Sequence, residues 1–251
     1  MERSIAEKID LTVEWLREKV KQSGTNGLVV GISGGIDSAL VAFLIRKAFP
    51  ENSMGVIMPC KSNPKDREDA LKVVEACGIK HIEVELTQIH DNLFQKVTSV
   101  LGEDLLRDAG HNLRLSDANL RARLRMSTLY SVANALNYLV VGTDNAAEVY
   151  TGYFTKYGDG GVDILPITHL KKREVYAWSR YLGVPQSVLD RPPSAGLWEG
   201  QTDELEMGTS YDMVDDLLEG KEIPQRDREI IERLHKRSEH KRRMPEGPPV
   251  F

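Results

Sequence analysis

Apolar residues recur every three or four positions near the start of the chain, separated by charged residues. They are Ile5, Ile9, Val13, Leu16 and Val20. This spacing places them on one face of a helix over residues 4–22. Gly-Thr-Asn-Gly at 24–27 ends that pattern, and the apolar run at 28–32 predicts a short buried strand.

The alternation of helical periods and short apolar runs continues along the chain. It predicts strands at 54–58, 81–86 and 138–142, and helices at 37–48, 64–77, 171–182 and near 210–219, with helical pieces in 88–136. Apolar strands that alternate with helices are typical of a parallel sheet covered on both faces. We therefore expect a doubly wound, Rossmann-like α/β fold forming a single domain over 1–251, with an irregular Pro-rich tail at 244–251.

Composition narrows the function classes. The 251 residues carry a net charge of −5, so the chain as a whole offers no positive field for nucleic acid. No apolar run approaches the ~20 residues that span a bilayer, and the acidic start does not match a signal segment. Cys60 and Cys77 form no CxxC pair and suit a reducing compartment. We expect a cytoplasmic protein with neither nucleic-acid nor membrane partners.

The most informative segment is Ser-Gly-Gly-Ile-Asp-Ser at 33–38, between a predicted strand and a predicted helix. Adjacent glycines let the backbone approach a ligand closely, and the start of a helix directs unpaired N–H groups toward an anion. No lysine follows the glycines, so the Walker pattern is absent, and the G-x-G-x-x-G spacing of dinucleotide sites is absent as well. The segment favours a different kind of phosphate site.

Two carboxylates near this segment indicate a cation. Asp37 beside phosphates would repel them unless a cation such as Mg²⁺ lay between them; otherwise Asp37 merely favours the start of the helix. Gly-Thr-Asp-Asn-Ala-Ala-Glu at 142–148 follows another predicted strand, where ligands bind in open α/β sheets. Asp144 and Glu148 are four residues apart and are predicted to share one helix face. They form either a second ligand group or a solvated acidic pair.

The glycine segment resembles the pyrophosphate-binding loop of ATP pyrophosphatases, which have the adenine nucleotide alpha hydrolase-like fold. That loop alone does not choose among the members of the class. A further cluster, Gly-Tyr-Phe-Thr-Lys-Tyr-Gly-Asp-Gly-Gly-Val-Asp at 152–163, resembles the ammonia-dependent NAD synthetase family. Segments at 121–126, 170–173, 193–197, 211–212 and 239–243 agree with this family.

The resemblance implies a ligase that forms NAD, AMP and pyrophosphate from deamido-NAD, ATP and ammonia, with Mg²⁺ as cofactor. Implied ATP contacts are Gly31, Ser33, Gly34, Gly35, Asp37, Ser38, Thr143, Lys172 and Ser194, the last of which stands where the family often has Thr. Implied magnesium ligands are Asp37 and Glu148. Implied deamido-NAD contacts are Arg123, Lys156, Asp163, His240 and Lys241. Implied catalytic residues are Lys172 and Asp159, with Asp159 ordering the ammonia or the nicotinate end.

The resemblance also implies a homodimer that binds the dinucleotide across its interface, with the first helix and an Arg-rich helix near 119–135 as candidate surfaces. We expect free ammonia, or ammonia from a separate partner, because a glutamine-hydrolysing domain is not recognisable in the sequence. One alternative is another ATP pyrophosphatase, such as a tRNA-modifying enzyme, although neither an RNA-binding module nor catalytic cysteines are evident. Another is a nucleotide-sensing protein with a degenerate site, which the intact Asp37, Glu148 and Lys172 oppose.

Overall fold

Four parallel strands form the centre of the molecule. A computed structural model describes residues 3–194 and 202–249. The strands are β1 (Gly27–Gly31), β2 (Ser53–Ile57), β3 (Lys80–Glu83) and β4 (Tyr138–Val140), in the spatial order β3-β2-β1-β4. In this register Gly31 pairs with Val56, and Val29 pairs with Val140. The predicted parallel sheet is therefore confirmed.

Eleven α-helices connect and surround the strands in the part of the chain that the structure describes. They are α1 (Ile5–Ser23), α2 (Ile36–Ala48), α3 (Pro64–Cys77), α4 (Thr87–Leu106), α5 (Gly110–Leu136), α6 (Ala146–Thr151), α7 (Lys172–Leu182), α8 (Gln186–Leu189), α9 (Asp203–Met207), α10 (Tyr211–Leu218) and α11 (Gln225–Arg237). A short 3-10 helix follows at Glu239–Lys241. Residues 244–249 form neither helix nor strand, as predicted for the tail.

Helices cover both faces of the sheet, which explains why the strands are almost wholly apolar. On one face, α1, α2, α3 and α7 share a core that includes Leu16, Leu40 and Trp178. On the other face, α5 places Leu129 and Ala133 against the sheet. The apolar stripe of α1 is thus buried within this chain, so the prediction that it forms part of a dimer surface is not supported.

The connections place a cleft beside β1. From β1 the chain runs outward through β2 and β3, and then returns through α4 and α5 to β4 on the opposite side of β1. Connections that leave neighbouring strands in opposite directions open a crevice at their carboxyl ends. The segments after Gly31 and after Val140 meet there.

The C-terminal helices form a third cluster over this edge of the sheet. Ala147 of α6 packs with Tyr211 and Val214 of α10 and with Ile231 of α11. The sequence did not predict α11, because α11 carries mostly charged side chains. It predicted a helix over 144–148, whereas α6 begins only at Ala146. No helix among the described residues has the length and apolar character required to cross a bilayer.

Candidate functional site

The loop after β1 turns sharply before α2 begins. Gly34 has a φ of +83°, a backbone angle that residues with a side chain rarely adopt. A Cβ at this position would clash with the backbone carbonyl of Asp66 on α3. The hydroxyl oxygens of Ser33 and Ser38 lie 3.0 Å apart, and the Ser33 N–H donates to Ser38 Oγ at 3.2 Å. The loop is therefore fixed from inside, with the first turn of α2 behind it.

Three predicted residues meet at one point beside this loop. Lys172 Nζ lies 2.6 Å from Asp37 Oδ2 and 3.2 Å from Glu148 Oε1. Lys172 begins α7, is 3% exposed, and donates its backbone N–H to Asp215 Oδ1 at 3.0 Å. Burial alone would lower the pKa of Lys172, but the two carboxylates outweigh it and the pKa rises. The lysine is therefore a permanent cation between two acids.

The start of α6 positions Glu148. Asn145 caps this helix: its side-chain oxygen accepts from the N–H of Glu148 at 3.1 Å, and its own N–H donates to Glu148 Oε2 at 3.1 Å. The Asn145 amide also donates to Asp37 Oδ1 at 2.9 Å, so one residue links both acids. Burial, followed by the negative charge of Asp37, raises the pKa of Glu148 to about 7. The spacing Asn-x-x-Glu is a capping signal that could have identified Asn145.

The prediction that Asp144 and Glu148 share a helix face is wrong, because α6 begins only at Ala146. Asp144 is nevertheless buried at this edge, with 5% exposure. Burial raises its pKa, and the negative charges of Asp159 and Glu148 raise it further. The acidic pair is therefore not a solvated one.

Two residues from the C-terminal helices complete the surroundings of Glu148. Tyr211 Oη lies 3.1 Å from Glu148 Oε1 and 2.8 Å from Asp203 Oδ2. The Lys172 ammonium also lies 4.4 Å from the centre of the Tyr211 ring, within reach of a cation–π interaction. No sequence signal pointed to Asp203, and only the resemblance of residues 211–212 to the family pointed to Tyr211.

The loop and the acids face a cavity of about 760 Å³, a volume typical of sites for small molecules. Many of the predicted site residues line it: Gly31, Ser33, Gly35, Asp37, Ser38, Thr143, Glu148, Asp159, Ser194 and Lys241. Lys172 lies behind the two carboxylates that it contacts, and Gly34 faces α3. Residues 195–201, which include part of the motif at 193–197, lie outside the described residues.

Asp159 and Lys241 stand in the same cavity. Asp159 Oδ1 accepts from the Thr155 N–H at 2.9 Å, and its carboxylate is exposed to the cavity. The surrounding protein desolvates that carboxylate and raises its pKa. Lys241 Nζ donates to the carbonyls of Gly152 at 2.7 Å and Phe154 at 2.6 Å, and burial lowers its pKa. These two groups form a charged region apart from the Lys172 cluster.

The other residues implied for deamido-NAD do not line this cavity. Arg123 donates to the backbone carbonyl of Lys156 at 3.3 Å, and Lys156 Nζ donates to the backbone carbonyl of His240 at 2.8 Å. The Asp163 carboxylate accepts the Val140 N–H at 2.7 Å, next to the end of β4. The binding roles of Arg123, Lys156, Asp163 and His240 remain predictions.

Comparisons with known proteins agree with the fold. A family model described as NAD synthase matches residues 8–245. An NH(3)-dependent NAD(+) synthetase of Alkaliphilus metalliredigens is 66% identical over 98% of this chain and 99% of its own length.

Two solved structures were also compared. An NMN synthetase from Francisella tularensis has a TM-score of 0.91 and 39% identity, over 99% of this chain and 100% of that one. An NH3-dependent NAD synthetase from Campylobacter jejuni, in complex with the nitrate ion, has a TM-score of 0.77 and 30% identity, again over 99% and 100%. The resemblance predicted from the motifs is confirmed: this chain belongs to the NAD synthase family.

Proposed function

We propose that this chain catalyses the ATP-dependent amidation of deamido-NAD by ammonia, which yields NAD, AMP and pyrophosphate. The observation that carries the proposal is the meeting of Asp37, Glu148 and Lys172 beside the glycine loop. Ammonia cannot displace oxide from a carboxylate, whereas AMP attached to that carboxylate leaves readily. The enzyme must therefore hold a triphosphate and stabilise the charge that develops as AMP is transferred.

The loop provides the triphosphate site in this proposal. The hydroxyls of Ser33 and Ser38 and the N–H groups at the start of α2 are donors suited to phosphate oxygens. Gly35 keeps a side chain away from that surface, and Gly34 lets the loop pack closely against α3. Lys172 adds a permanent positive charge and holds Asp37 and Glu148 in place.

The donor set at Asp37 and Glu148 fits Mg²⁺. Both acids place an oxygen within 3.2 Å of the same ammonium nitrogen, so both can approach one small cation. Within 3–194 and 202–249, no three His, Cys, Asp or Glu side chains form a metal cage. Mg²⁺ typically uses one or two carboxylates together with substrate phosphates, which matches this arrangement. When bound, Mg²⁺ neutralises phosphate charge during transfer.

Asp144 and Asp159 are suited to the ammonia step. Both carboxylates line the cavity, and the surrounding protein desolvates each of them and so raises its pKa. Carboxylates in such surroundings attract ammonium and accept its protons more readily than fully hydrated ones do. We assign Asp159 to ordering the ammonia or the nicotinate end, with Asp144 beside it.

A homodimer would complete the dinucleotide site. Helix α4 exposes several large apolar side chains on its surface: Ile89, Leu93, Val97, Val100, Leu101 and Leu105. Exposed apolar patches of this kind mark interaction surfaces, and α4 packs against α5, which carries Arg123. We therefore propose that a second copy covers α4, and that Arg123, Lys156, Asp163 and His240 act beside that interface.

We propose a cytoplasmic location from the cysteines. Cys60 and Cys77 are free thiols, and burial raises the pKa of each. Unreactive thiols of this kind suit a reducing compartment.

A second candidate substrate is the mononucleotide, nicotinic acid mononucleotide, whose amidation would give NMN. The observation in its favour is the TM-score of 0.91 to the structure of an NMN synthetase, against 0.77 to an NAD synthetase. The same carboxylate reacts in both substrates. The two substrates differ in the residues that they would contact. Arg123 and Lys156 lie outside the cavity, and only the longer deamido-NAD would need them for binding.

The purified protein should be incubated with ATP, Mg²⁺ and ammonium, and with either deamido-NAD or the mononucleotide. We expect AMP together with NAD, and a higher kcat/KM for the dinucleotide. ADP as the product would overturn the adenylation mechanism, and activity with glutamine in place of ammonium would overturn the assignment of free ammonia. Arg123→Ala should raise the KM for deamido-NAD and leave the KM for the mononucleotide unchanged.

A further inference from the structure

The cavity is lined by Arg125 of α5, an arginine to which the sequence motifs assigned no role. Arg125 Nε donates to the backbone carbonyl of Met58 at 3.1 Å, and Nη2 donates to Ser62 Oγ at 3.1 Å. Both partners follow β2 at the carboxyl edge of the sheet. The guanidinium is therefore fixed in orientation by neutral oxygens, and the residue lines the cavity.

The charge of Arg125 has no partner in the described chain. Within 3–194 and 202–249, no carboxylate lies within 4.0 Å of its guanidinium. Two other cations at this edge, by contrast, contact carboxylates: Lys172 contacts Asp37 and Glu148, and Arg191 contacts Asp66. A cation held in a desolvated position without a counter-ion is unfavourable. Burial accordingly lowers the pKa of Arg125.

One nitrogen of this guanidinium remains available. Nε and Nη2 donate to protein oxygens, whereas Nη1 has no acceptor among the residues that the structure describes, nor is it sealed off from solvent. A planar guanidinium with a free edge suits an anionic oxygen pair of a phosphate or a carboxylate. The cavity thus has an anion-binding group apart from the phosphate loop.

The position of Arg125 relates it to both halves of the proposed reaction. A Cβ on Gly31, at the start of the phosphate loop, would lie 3.0 Å from the Met58 methyl group, so the backbone that holds Arg125 adjoins that loop. Asp159, assigned to the ammonia or nicotinate end, is close enough to influence the charge of Arg125. Arg125 therefore lies between the triphosphate loop and the nicotinate end.

We propose that Arg125 is an anion-binding residue of this cavity and receives a phosphate or carboxylate group of a bound substrate. The proposal rests on the function proposed above for the identity of those substrates. The bound anion supplies the counter-ion that Arg125 lacks in the free protein. Relief of this unfavourable charge therefore adds to the affinity for the substrate.

The test compares Arg125→Gln and Arg125→Lys with the control Arg107→Gln. Arg107 carries an exposed guanidinium that pairs with Asp104 at 2.7 Å. Calorimetric titrations of the purified protein with Mg-ATP alone and with deamido-NAD alone measure the affinity for each ligand. Thermal unfolding measures the stability of the protein without ligand. Neither measurement requires turnover, so a failure of the proposed amidation would be seen separately with the unmodified chain.

We expect Arg125→Gln to lower the affinity for one or both ligands about ten- to a hundredfold, Arg125→Lys to lower it less, and Arg107→Gln to leave it unchanged. A lower affinity for ATP alone identifies an ATP phosphate as the anion. A lower affinity for deamido-NAD alone identifies the carboxylate or a phosphate of that ligand. Removal of the unpaired charge and loss of the hydrogen bonds to Met58 and Ser62 oppose each other, so the Tm without ligand should change little. Unchanged affinities would overturn the proposal, and a lower Tm beside them would show a structural arginine.

Discussion

The triphosphate half and the dinucleotide half of the expected site differ in how completely one chain forms them. Around the loop, Asp37 and Glu148 both contact Lys172, and the two acids line one cavity. Arg123 and Lys156, by contrast, donate to backbone carbonyls outside that cavity. The loop half is organised before any ligand arrives, whereas the other half adjoins a helix with an uncovered apolar surface.

This difference has a physical origin. The edge of a parallel sheet fixes the ends of β1 and β4 to within the spacing of neighbouring strands, so residues that follow them meet without help from a partner. Arg123 lies in the middle of α5 and Lys156 in an irregular segment, where no such constraint acts. We therefore expect changes around the loop to affect chemistry, and changes near α4 to affect binding of the dinucleotide.

The largest expected effect comes from Lys172→Met. The change leaves Asp37 and Glu148 close together without their cation. We expect kcat to fall about a thousandfold and the free energy of unfolding to fall by about 3–5 kcal/mol. Steady-state kinetics and chemical denaturation measure the two quantities.

Lys47→Met is the control for this change. Lys47 is an exposed lysine whose Nζ lies 3.3 Å from Asp10 Oδ1. Exposed ion pairs contribute only about 0–1 kcal/mol, so stability and kcat should remain near those of the parent. Equal losses in the two variants would contradict the central role of the Lys172 cluster.

Gly34→Ala should have the next largest effect. The new Cβ would clash with the Asp66 carbonyl and force the loop away from α3. A displacement of about 1 Å in a site can reduce kcat/KM about a hundredfold, and ATP affinity should fall with it. Calorimetric titration with Mg-ATP provides the direct measurement.

Gly24→Ala separates backbone strain from this clash. Gly24 has a similar φ of +68°, but a Cβ there meets nothing within 4 Å. Both variants should lose about 1 kcal/mol of stability through the unfavourable backbone conformation. Only Gly34→Ala should lose affinity for ATP, and an equal loss in Gly24→Ala would refute the proposed fit of the loop against α3.

Val100→Glu tests the other half of the comparison. Val100 of α4 is 76% exposed in the single chain. If a second copy covers it, a buried charge should raise the dimer dissociation constant about tenfold or more and raise the KM for deamido-NAD. Sedimentation velocity at several protein concentrations measures the first quantity.

Leu11→Glu is the matched control, because Leu11 is a 48% exposed apolar residue of α1. We expect this variant to associate as the parent does. A dimer that survives Val100→Glu with unchanged affinity would place the interface elsewhere on the molecule.

The sequence predicted features that depend on local order more successfully than features that depend on distant contacts. The strands were predictable because burial on both faces leaves an apolar run. Asp37 and Glu148 were predictable because each follows the end of a strand. The contact of Asp203 with Tyr211 was not, since it depends on how α9 and α10 pack over the sheet.

The arginines of α5 also show that the sequence could not predict features that depend on packing. The motif at 121–126 resembles the family, and it assigned Arg123 to the dinucleotide. Residues two apart on a helix point to nearly opposite sides, so only one of Arg123 and Arg125 can face the cavity. Packing of α5 on the sheet selects Arg125. The periodicity of the sequence could not select it, because the helix has little amphipathic character.

The pH dependence offers the finest test of the loop half. Burial and the charge of Asp37 raise the pKa of Glu148 from 4.5 to about 7, so its folded form binds a proton more tightly than its unfolded form. The resulting stability is present below pH 4.5 and is lost as the pH rises through 7.

Activity should change in the opposite direction, because the proposed Mg²⁺ site needs the ionised carboxylate of Glu148. Since Mg²⁺ competes with the proton, more Mg²⁺ should move the acid limb of kcat/KM to lower pH.

Tyr211→Phe should shift that limb with the smallest loss of activity. The phenol O–H is shared between Glu148 Oε1, at 3.1 Å, and Asp203 Oδ2, at 2.8 Å. Its removal takes a donor away from these two acids, so it favours the protonated acid and raises the pKa of Glu148. We expect kcat/KM to fall about two- to fivefold near pH 7 and to recover at higher pH. The exposed Tyr181→Phe should leave the limb unchanged. A limb that stays in place in Tyr211→Phe, or that does not respond to Mg²⁺, would show that Glu148 is not the titrating ligand and would leave Asp37 as the only metal carboxylate of this half.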